Sequence, residues 1–184
     1  MGHLYTKCPY TVPFYIPKTN EISTPDYCKL LGYAVEGDDV ESEDKYLKKL
    51  SGSVRLYAAI MASDVPPAYT AKGHPHGLEH AWVWLTNVLN MEPRPVTATI
   101  LFDFLEVAGH AMLKRFGGQF RKLLLILCND VMPKILEVTP PESKAGATRL
   151  KLFLEECVKQ GKVKPPEGFL SSNWYSGGSN YYRY

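Results

Sequence analysis

The sequence predicts an all-α fold in which about five long helices pair in antiparallel fashion and stack as an α-solenoid. In five stretches, apolar residues recur at steps of three and four, the spacing that places them on one face of a helix. Proline-bearing loops separate most of these stretches, and no strand pattern is evident beside the most apolar one. The domain is therefore predicted to be helical.

Residues 96–136 are predicted to form the core as two helices joined by a turn at Gly117-Gly118. The first helix has a wide apolar face made of Ile100, Leu101, Phe104, Leu105, Ala108, Ala111 and Met112. The apolar residues of the second are Phe120, Leu123, Leu124, Ile126, Leu127, Val131 and Ile135. Because its run 123–127 is apolar on every side, we expect neighbours to cover this helix on more than one face.

The other helices are predicted over Glu41–Ala62, over Gly77–Asn90, and from Ser143 to a stop at Gly161. Residues 8–40 are predicted to be irregular, with a short helical turn at 26–31 and an exposed loop at 37–39. Residues 1–172 are interpreted as a single helical domain, the C-terminal part of a larger one. Residues 173–184 are interpreted as a flexible Gly/Ser/Tyr tail.

Composition narrows the classes of function. The formal net charge of the 184 residues is +2, which gives no indication of direct nucleic-acid binding. No apolar run approaches the roughly 20 residues that a membrane helix needs, so no membrane insertion is predicted. Without a CxxC pair, the four cysteines predict reduced, buried thiols in a cytoplasmic or nuclear protein: Cys8, Cys28, Cys128 and Cys157.

Two groups of titratable residues leave an alternative open, a metal-dependent helical hydrolase. One is a histidine cluster beside a carboxylate, formed by His74, His76 and His80. The other lies at i, i+3 and i+7 on one helix face and contains Asp103, Glu106 and His110. The first group lacks a fourth ligand at a recurrent spacing, and the second lacks a nucleophile or a second carboxylate pair. Structural roles are therefore favoured, with no catalytic residue and no metal ligand assigned.

The last predicted helix opens with three basic residues, Lys144, Arg149 and Lys151. A helix start also presents free N–H groups, so an acidic partner surface could dock at this end of the helix. The alternative is an ordinary solvated face.

Several short blocks carry a resemblance to a known family, and they occur in a fixed order from residue 7 to residue 172. They are Lys7-Cys8-Pro9-Tyr10, Leu56–Ile60, His74–Leu78, Trp82–Leu85, Asn90–Pro93, Leu101–Val107, Arg149–Lys151 and Gly168–Leu170. Together they resemble the C-terminal domain of the Gle-one family of mRNA-export mediators at the nuclear pore, without the N-terminal part of that domain.

The resemblance implies a HEAT-like helical domain without catalytic activity. Family members bind a DEAD-box RNA helicase at the cytoplasmic face of the nuclear pore and stimulate its ATPase cycle by favouring the open, product-releasing state. A phenylalanine-glycine nucleoporin docks on the same domain, and a role with translation initiation and termination factors is implied. The implied locations are the cytoplasmic face of the pore, the cytoplasm and the nucleus.

The resemblance also assigns site residues. The run 145–150 matches the family motif at the start of its last long helix, which faces one helicase lobe, so Ala145 and Thr148 are the expected contacts. Their small side chains would permit close approach, with Lys144, Arg149 and Lys151 adding charge complementarity. The alternative is that Gly146 and Ala147 merely start a helix.

Lys7 matches the last lysine of the family's cluster for inositol hexakisphosphate, the cofactor of some members. Thr6 departs from the basic residue expected beside it, and the family's other lysines lie N-terminal to this chain. One lysine does not hold a polyanion of that charge.

Overall fold

This computed structural model describes residue 29 and residues 33–37, 39–63, 76–141 and 144–167. These residues form a two-stranded hairpin followed by helices, with the bounds β1 Val35–Glu36, β2 Asp39–Val40, α1 Glu43–Ala62, α2 Leu78–Asn90, α3 Thr97–Phe116, α4 Gly118–Ile126, a π-helical segment Leu127–Val131, α5 Met132–Val138 and α6 Lys144–Gln160. The all-α prediction is confirmed. In the part of the chain described, every helix is too short or too polar to cross a membrane.

Helix α3 is the centre of the fold, since it packs against α1, α2, α4 and α6. Its buried apolar residues are Ala98, Ile100, Leu101, Phe102, Phe104, Leu105, Ala108 and Met112. Phe104 stacks on Trp84 of α2, with the ring centroids 4.5 Å apart. Full burial of each large apolar side chain contributes about 1.5–3 kcal/mol, so α3 supplies much of the hydrophobic stabilisation.

The predicted turn between the two core helices is confirmed at Gly117. This residue has φ +51°, a conformation that glycine adopts without the steric cost of a Cβ atom. Its N–H donates to the carbonyl of Leu113 at 2.9 Å and closes α3, and α4 begins at the next residue.

The second core helix differs from its prediction in two ways. A π-helical segment interrupts it ahead of Pro133, whose ring would clash with the carbonyl four residues earlier in a regular helix. Leu125 and Ile126 are 43% and 52% exposed, so the expectation of cover on more than one face is wrong among the described residues. The reason is that α4 packs against α3 and α6 through a single apolar stripe. This stripe contains Phe120, Leu123 and Leu124.

The hairpin lies within a stretch predicted to be irregular. Val35 pairs with Val40 and Glu36 with Asp39 in antiparallel register, and Gly37 has φ +62° at the turn. Strands of two residues are too short to show an alternating pattern in the sequence.

The predicted tail 173–184 lies outside the described residues, as does all but residue 29 of the predicted turn at 26–31.

Candidate functional site

The N-terminal half of α6 presents the predicted contact residues to solvent. Ala147 and Leu150 are fully buried and fix the inward side of the helix. The five residues assigned to helicase binding are all exposed: Lys144, Ala145, Thr148, Arg149 and Lys151. The structure therefore brings the predicted residues together on the outer part of one helix.

The small residues at the start of α6 also have a structural role. A Cβ atom added to Gly146 would lie 3.0 Å from Oγ1 of Thr99, at the beginning of α3. The absence of a side chain at this position lets the two helix starts approach closely. The structural alternative therefore holds for Gly146 and Ala147, whereas Ala145 and Thr148 remain on the outer surface.

Arg149 lies over α3 instead of extending straight into solvent. Its guanidinium carbon is 3.9 Å from the ring centroid of Phe102, and Nη2 is 3.6 Å from Oδ1 of Asp103. The side chain is still 60% exposed. An arginine over an aromatic face contributes about 0.5–1 kcal/mol at an exposed site, so this contact helps to hold α6 on α3.

Asp103 is the carboxylate at the centre of a charged group that joins three helices. It is only 2% exposed, and its Oδ1 also lies 3.4 Å from Nη1 of Arg55 on α1. Arg55 in turn donates to Glu106, and this hydrogen bond is the largest cause of the raised pKa of Arg55. We name Arg55, Asp103, Glu106 and Arg149 the Asp103 cluster.

Two members of the Asp103 cluster, Asp103 and Glu106, share a face of α3 with His110. The two carboxylates face arginines, whereas Nδ1 of His110 lies 2.9 Å from the carbonyl oxygen of Val163. The predicted placement on one face is confirmed, but the two carboxylates share Arg55, whereas His110 contacts a backbone carbonyl. Guanidinium groups at both carboxylates favour a structural role over metal ligation.

The histidine cluster is only partly described. The rings of His76 and His80 lie edge to face with their centroids 5.8 Å apart, and His74 lies outside the described residues. Within the described ranges, no group of three or more His, Cys, Asp or Glu side chains is arranged to hold a metal ion.

An open cleft of about 680 Å³ borders the Asp103 cluster between α1, α3 and the segment that follows α6. Its polar lining includes Arg55, Glu106, His110, Lys164 and Glu167. Lys164 pairs with Glu156 at 2.7 Å, and Arg55 pairs with Glu106. Because both cations already have carboxylate partners, the cleft is poorly suited to a polyphosphate such as inositol hexakisphosphate. Lys7, the predicted ligand, lies outside the described residues.

One surface residue was missed by the sequence analysis. Leu152 is 61% exposed and lies on the outer side of α6, opposite the buried Leu150 and Leu154. Its spacing from Ala145 and Thr148, seven and four residues, places it on the same face. That spacing is a signal in the sequence, and it identifies Leu152 as an apolar residue within the candidate surface.

Two of the four cysteines predicted to be reduced and buried lie in the described ranges, and both are free thiols there. Cys157 is buried in α6, and burial raises the pKa of its thiol to about 11. Cys128 is half-buried, and Cys8 and Cys28 lie outside the described residues. A thiol that resists deprotonation is a poor nucleophile, so Cys157 has a packing role.

Comparison with known proteins identifies relatives along most of the chain. The family model described as GLE1-like protein matches residues 1–128. The mRNA export factor GLE1 of Mus musculus is 44% identical over 176 residues, which cover 95% of this chain and 25% of the mouse protein. The Gle1 factor of Drosophila melanogaster is 28% identical over 177 residues, covering 95% of this chain and 26% of the fly protein. This chain thus spans about a quarter of the length of these relatives.

Solved structures show the same fold. In a complex described as a variant S. cerevisiae Dbp5 C-terminal domain bound to Gle1 and IP6, the matching chain superposes with a TM-score of 0.73 at 22% identity. The match covers 91% of this chain and 56% of that chain. A second such complex, which contains a Gle1 variant, gives a TM-score of 0.74 at 22% identity. The family match over residues 1–128 and this shared fold lead to one conclusion: the chain belongs to the family of GLE1-like proteins.

Proposed function

We propose that this chain is a non-enzymatic mRNA-export factor that binds a DEAD-box RNA helicase and stimulates its ATPase cycle. The observation that carries the proposal is the exposed surface at the start of α6, where Ala145 and Thr148 face outward from a buried helix stripe. Two findings support it: the relatives are named mRNA export factors, and the similar solved complexes contain Gle1 with Dbp5 and IP6.

The proposed mechanism is a shift of a conformational equilibrium in the helicase. A DEAD-box helicase has two lobes that separate when RNA and product leave. A rigid activator that binds the open arrangement more tightly than the closed one raises the population of the open state by its difference in affinity. Stimulation therefore needs no catalytic group from this chain. It needs a contact surface of fixed shape.

The surface of α6 suits this role. Ala145 and Thr148 are small enough for another protein to approach the helix closely. Leu152, about one turn after Thr148, adds an exposed apolar side chain to the same face. Lys144 and Lys151 are seven residues apart and therefore lie along the same edge of this surface, where positive charge favours association with an acidic partner. A small apolar centre with a charged rim is the usual anatomy of a protein interface.

The remaining partners and the cofactor are proposed from the family. Inositol hexakisphosphate is the proposed cofactor because the similar solved complexes contain IP6. Lys7 is proposed as one of its ligands, since a polyanion of that charge needs further cations beside it. A phenylalanine-glycine nucleoporin and translation initiation and termination factors are further proposed partners. The proposed location is the cytoplasmic face of the nuclear pore complex, together with the cytoplasm and the nucleus.

The geometry does not favour the second candidate function, a metal-dependent hydrolase. Such a site needs carboxylates and imidazoles that converge on one point. Asp103 and Glu106 instead face Arg55, and His110 contacts a backbone carbonyl.

The test is the substitution Thr148→Asp, assayed by the RNA-stimulated ATPase rate of the pore helicase with and without the chain. A carboxylate at this position would be desolvated in the interface, so we expect the concentration of chain for half-maximal stimulation to rise at least about tenfold. Because Thr148 is exposed, the thermal unfolding midpoint should stay unchanged.

Asn87→Asp is the matched control, since Asn87 is an exposed residue of α2 and the change adds the same charge. We expect this variant to stimulate as the unmodified chain does. If Thr148→Asp and Asn87→Asp both stimulate the helicase as well as the unmodified chain does, the helicase does not bind this surface. Equal loss in both would show that net charge, and not the surface of α6, controls stimulation.

A further inference from the structure

We infer that Arg149 is a positioning residue: it holds the contact surface of α6 in place from within the domain and does not itself bind the helicase. This inference rests on the proposed function, because it concerns how the proposed contact surface is presented. It reassigns a residue that the sequence analysis placed among the helicase contacts.

Phe102 of α3 contacts two side chains of α6 that lie one helical turn apart. The guanidinium of Arg149 covers the ring face at 3.9 Å, and the ring of Phe153 meets it edge to face at 5.5 Å between centroids. Phe102 itself is 7% exposed and belongs to the hydrophobic core. These two contacts with Phe102 oppose both rotation of α6 about its own axis and sliding of α6 along α3.

Asp103, the next residue of α3, adds an electrostatic restraint. Its buried carboxylate lies 3.6 Å from Arg149 and 3.4 Å from Arg55, so α1 and α6 share one counter-ion on α3. A carboxylate that is 2% exposed has lost most of its hydration and depends on these two cations. The position of Arg149 is thereby determined from two sides, by an aromatic face and by an anion.

Arg149 is well placed to control the contact surface. It lies four residues after Ala145, one after Thr148 and three before Leu152, so it borders the same outer face. A small rotation of α6 would move all three of these residues relative to the rest of the domain. Because interactions with a partner depend on fixed geometry, a more mobile α6 would bind the open helicase less tightly.

The experiment is a double-mutant cycle measured through helicase stimulation. We expect Arg149→Gln to raise the concentration of chain for half-maximal stimulation about two- to fivefold, the range that corresponds to loss of an exposed cation–π contact. In a Phe102→Leu background, the same substitution should have a clearly smaller effect, because the ring is gone and only the restraint from Asp103 remains. An equal effect of Arg149→Gln in both backgrounds would overturn the inference and indicate direct contact.

Arg149→Lys gives a second, independent readout. Lysine keeps the positive charge that Asp103 attracts but lacks the planar group that stacks on Phe102, so it should recover only part of the loss caused by Arg149→Gln. Full rescue by lysine would overturn the inference, because stacking of the guanidinium on Phe102 would then contribute nothing to the contact surface. If Phe102→Leu does not fold, Asp103→Asn replaces it in the cycle and the lysine comparison still applies.

The outcomes separate this inference from the proposed function. If the unmodified chain fails to stimulate the helicase, the proposed function is wrong. If it stimulates and Arg149→Lys is indistinguishable from the unmodified chain, only the positioning role is wrong. The half-maximal concentration is measured well below the unfolding midpoint of each variant, so a loss of stability alone would leave it unchanged.

Discussion

Helix α3 carries two arginine–carboxylate arrangements of different character. In its N-terminal half, Asp103 is 2% exposed and meets Arg55 and Arg149 at 3.4 and 3.6 Å. Near its C-terminal end, Arg115 donates to Glu79 of α2 through two N–H groups, the shorter contact being 2.7 Å, and both side chains are about 60% exposed. The exposed pair has the shorter contact, and the buried carboxylate has the longer ones.

Burial, more than the distance between the charged atoms, determines how strongly the fold depends on an ion pair. Water and dissolved ions screen the Glu79–Arg115 pair, so its close contact stabilises the protein by less than about 1 kcal/mol. Asp103 has lost its water, and its charge is tolerated only because two arginines lie beside it. The buried arrangement also joins three helices, whereas the exposed one joins two.

The largest effect is expected when both cations are removed from Asp103. The double substitution Arg55→Ala with Arg149→Ala leaves a buried carboxylate without a counter-ion, which should lower the free energy of unfolding by about 3–5 kcal/mol. Urea denaturation at pH 7, followed by helical circular dichroism, measures this change. A loss below about 1 kcal/mol would mean that Asp103 is hydrated in the variant and that the two arrangements are energetically alike.

A much smaller effect is expected at the exposed pair. Glu79→Gln keeps the shape of the side chain and removes its charge, and it should lower the free energy of unfolding by about 0.2–1 kcal/mol. The difference from the unmodified chain should disappear at about 1 M salt, where the screening length is about 3 Å. A loss as large as that of the double arginine variant would contradict the importance of burial.

The smallest effect is expected from acid titration of the exposed pairs. Hydrogen bonds from Arg115 and Lys164 lower the pKa values of Glu79 and Glu156 below the ordinary value of 4.5. A depressed folded-state pKa gives stability that is present above the unfolded-state pKa and is lost as the pH falls through the folded-state pKa. These two pairs should therefore stabilise the fold at pH 6 and contribute less below about pH 4.5.

The variant Glu79→Gln with Glu156→Gln isolates this contribution. Its free energy of unfolding should decrease less between pH 6 and pH 4 than that of the unmodified chain. Identical pH dependence of the two proteins would show that the lowered pKa values do not affect folding stability.

Much of the fold could be predicted because helical periodicity is a local property. The apolar spacing of 96–116 identified α3 as the core helix, and the glycines at 117–118 identified its turn. The pattern also suggested that 123–127 would be covered on more than one face, but α4 buries one stripe and leaves Leu125 and Ile126 exposed. Apolar character shows that a residue could be buried, and packing decides whether it is.

At the candidate site, the sequence predicted which residues share a helix face but not which residues they contact. Asp103, Glu106 and His110 were correctly placed on one helix face, since their spacing alone determines it. Their partners were not predictable: Arg55 is 48 residues from Asp103, and Val163 is 53 residues from His110. No local pattern links residues so far apart in the chain.

Local patterns in the sequence were therefore enough to predict which segments are helices and which family the chain resembles. Three features depend on how distant helices pack: Arg149 lies on Phe102, one buried carboxylate pairs with two arginines, and Gly146 lets α6 approach α3. The physical reason is that the repeat of a helix sets the direction of each side chain from its neighbours in sequence. The partner that a side chain meets depends on how helices distant in sequence pack around α3.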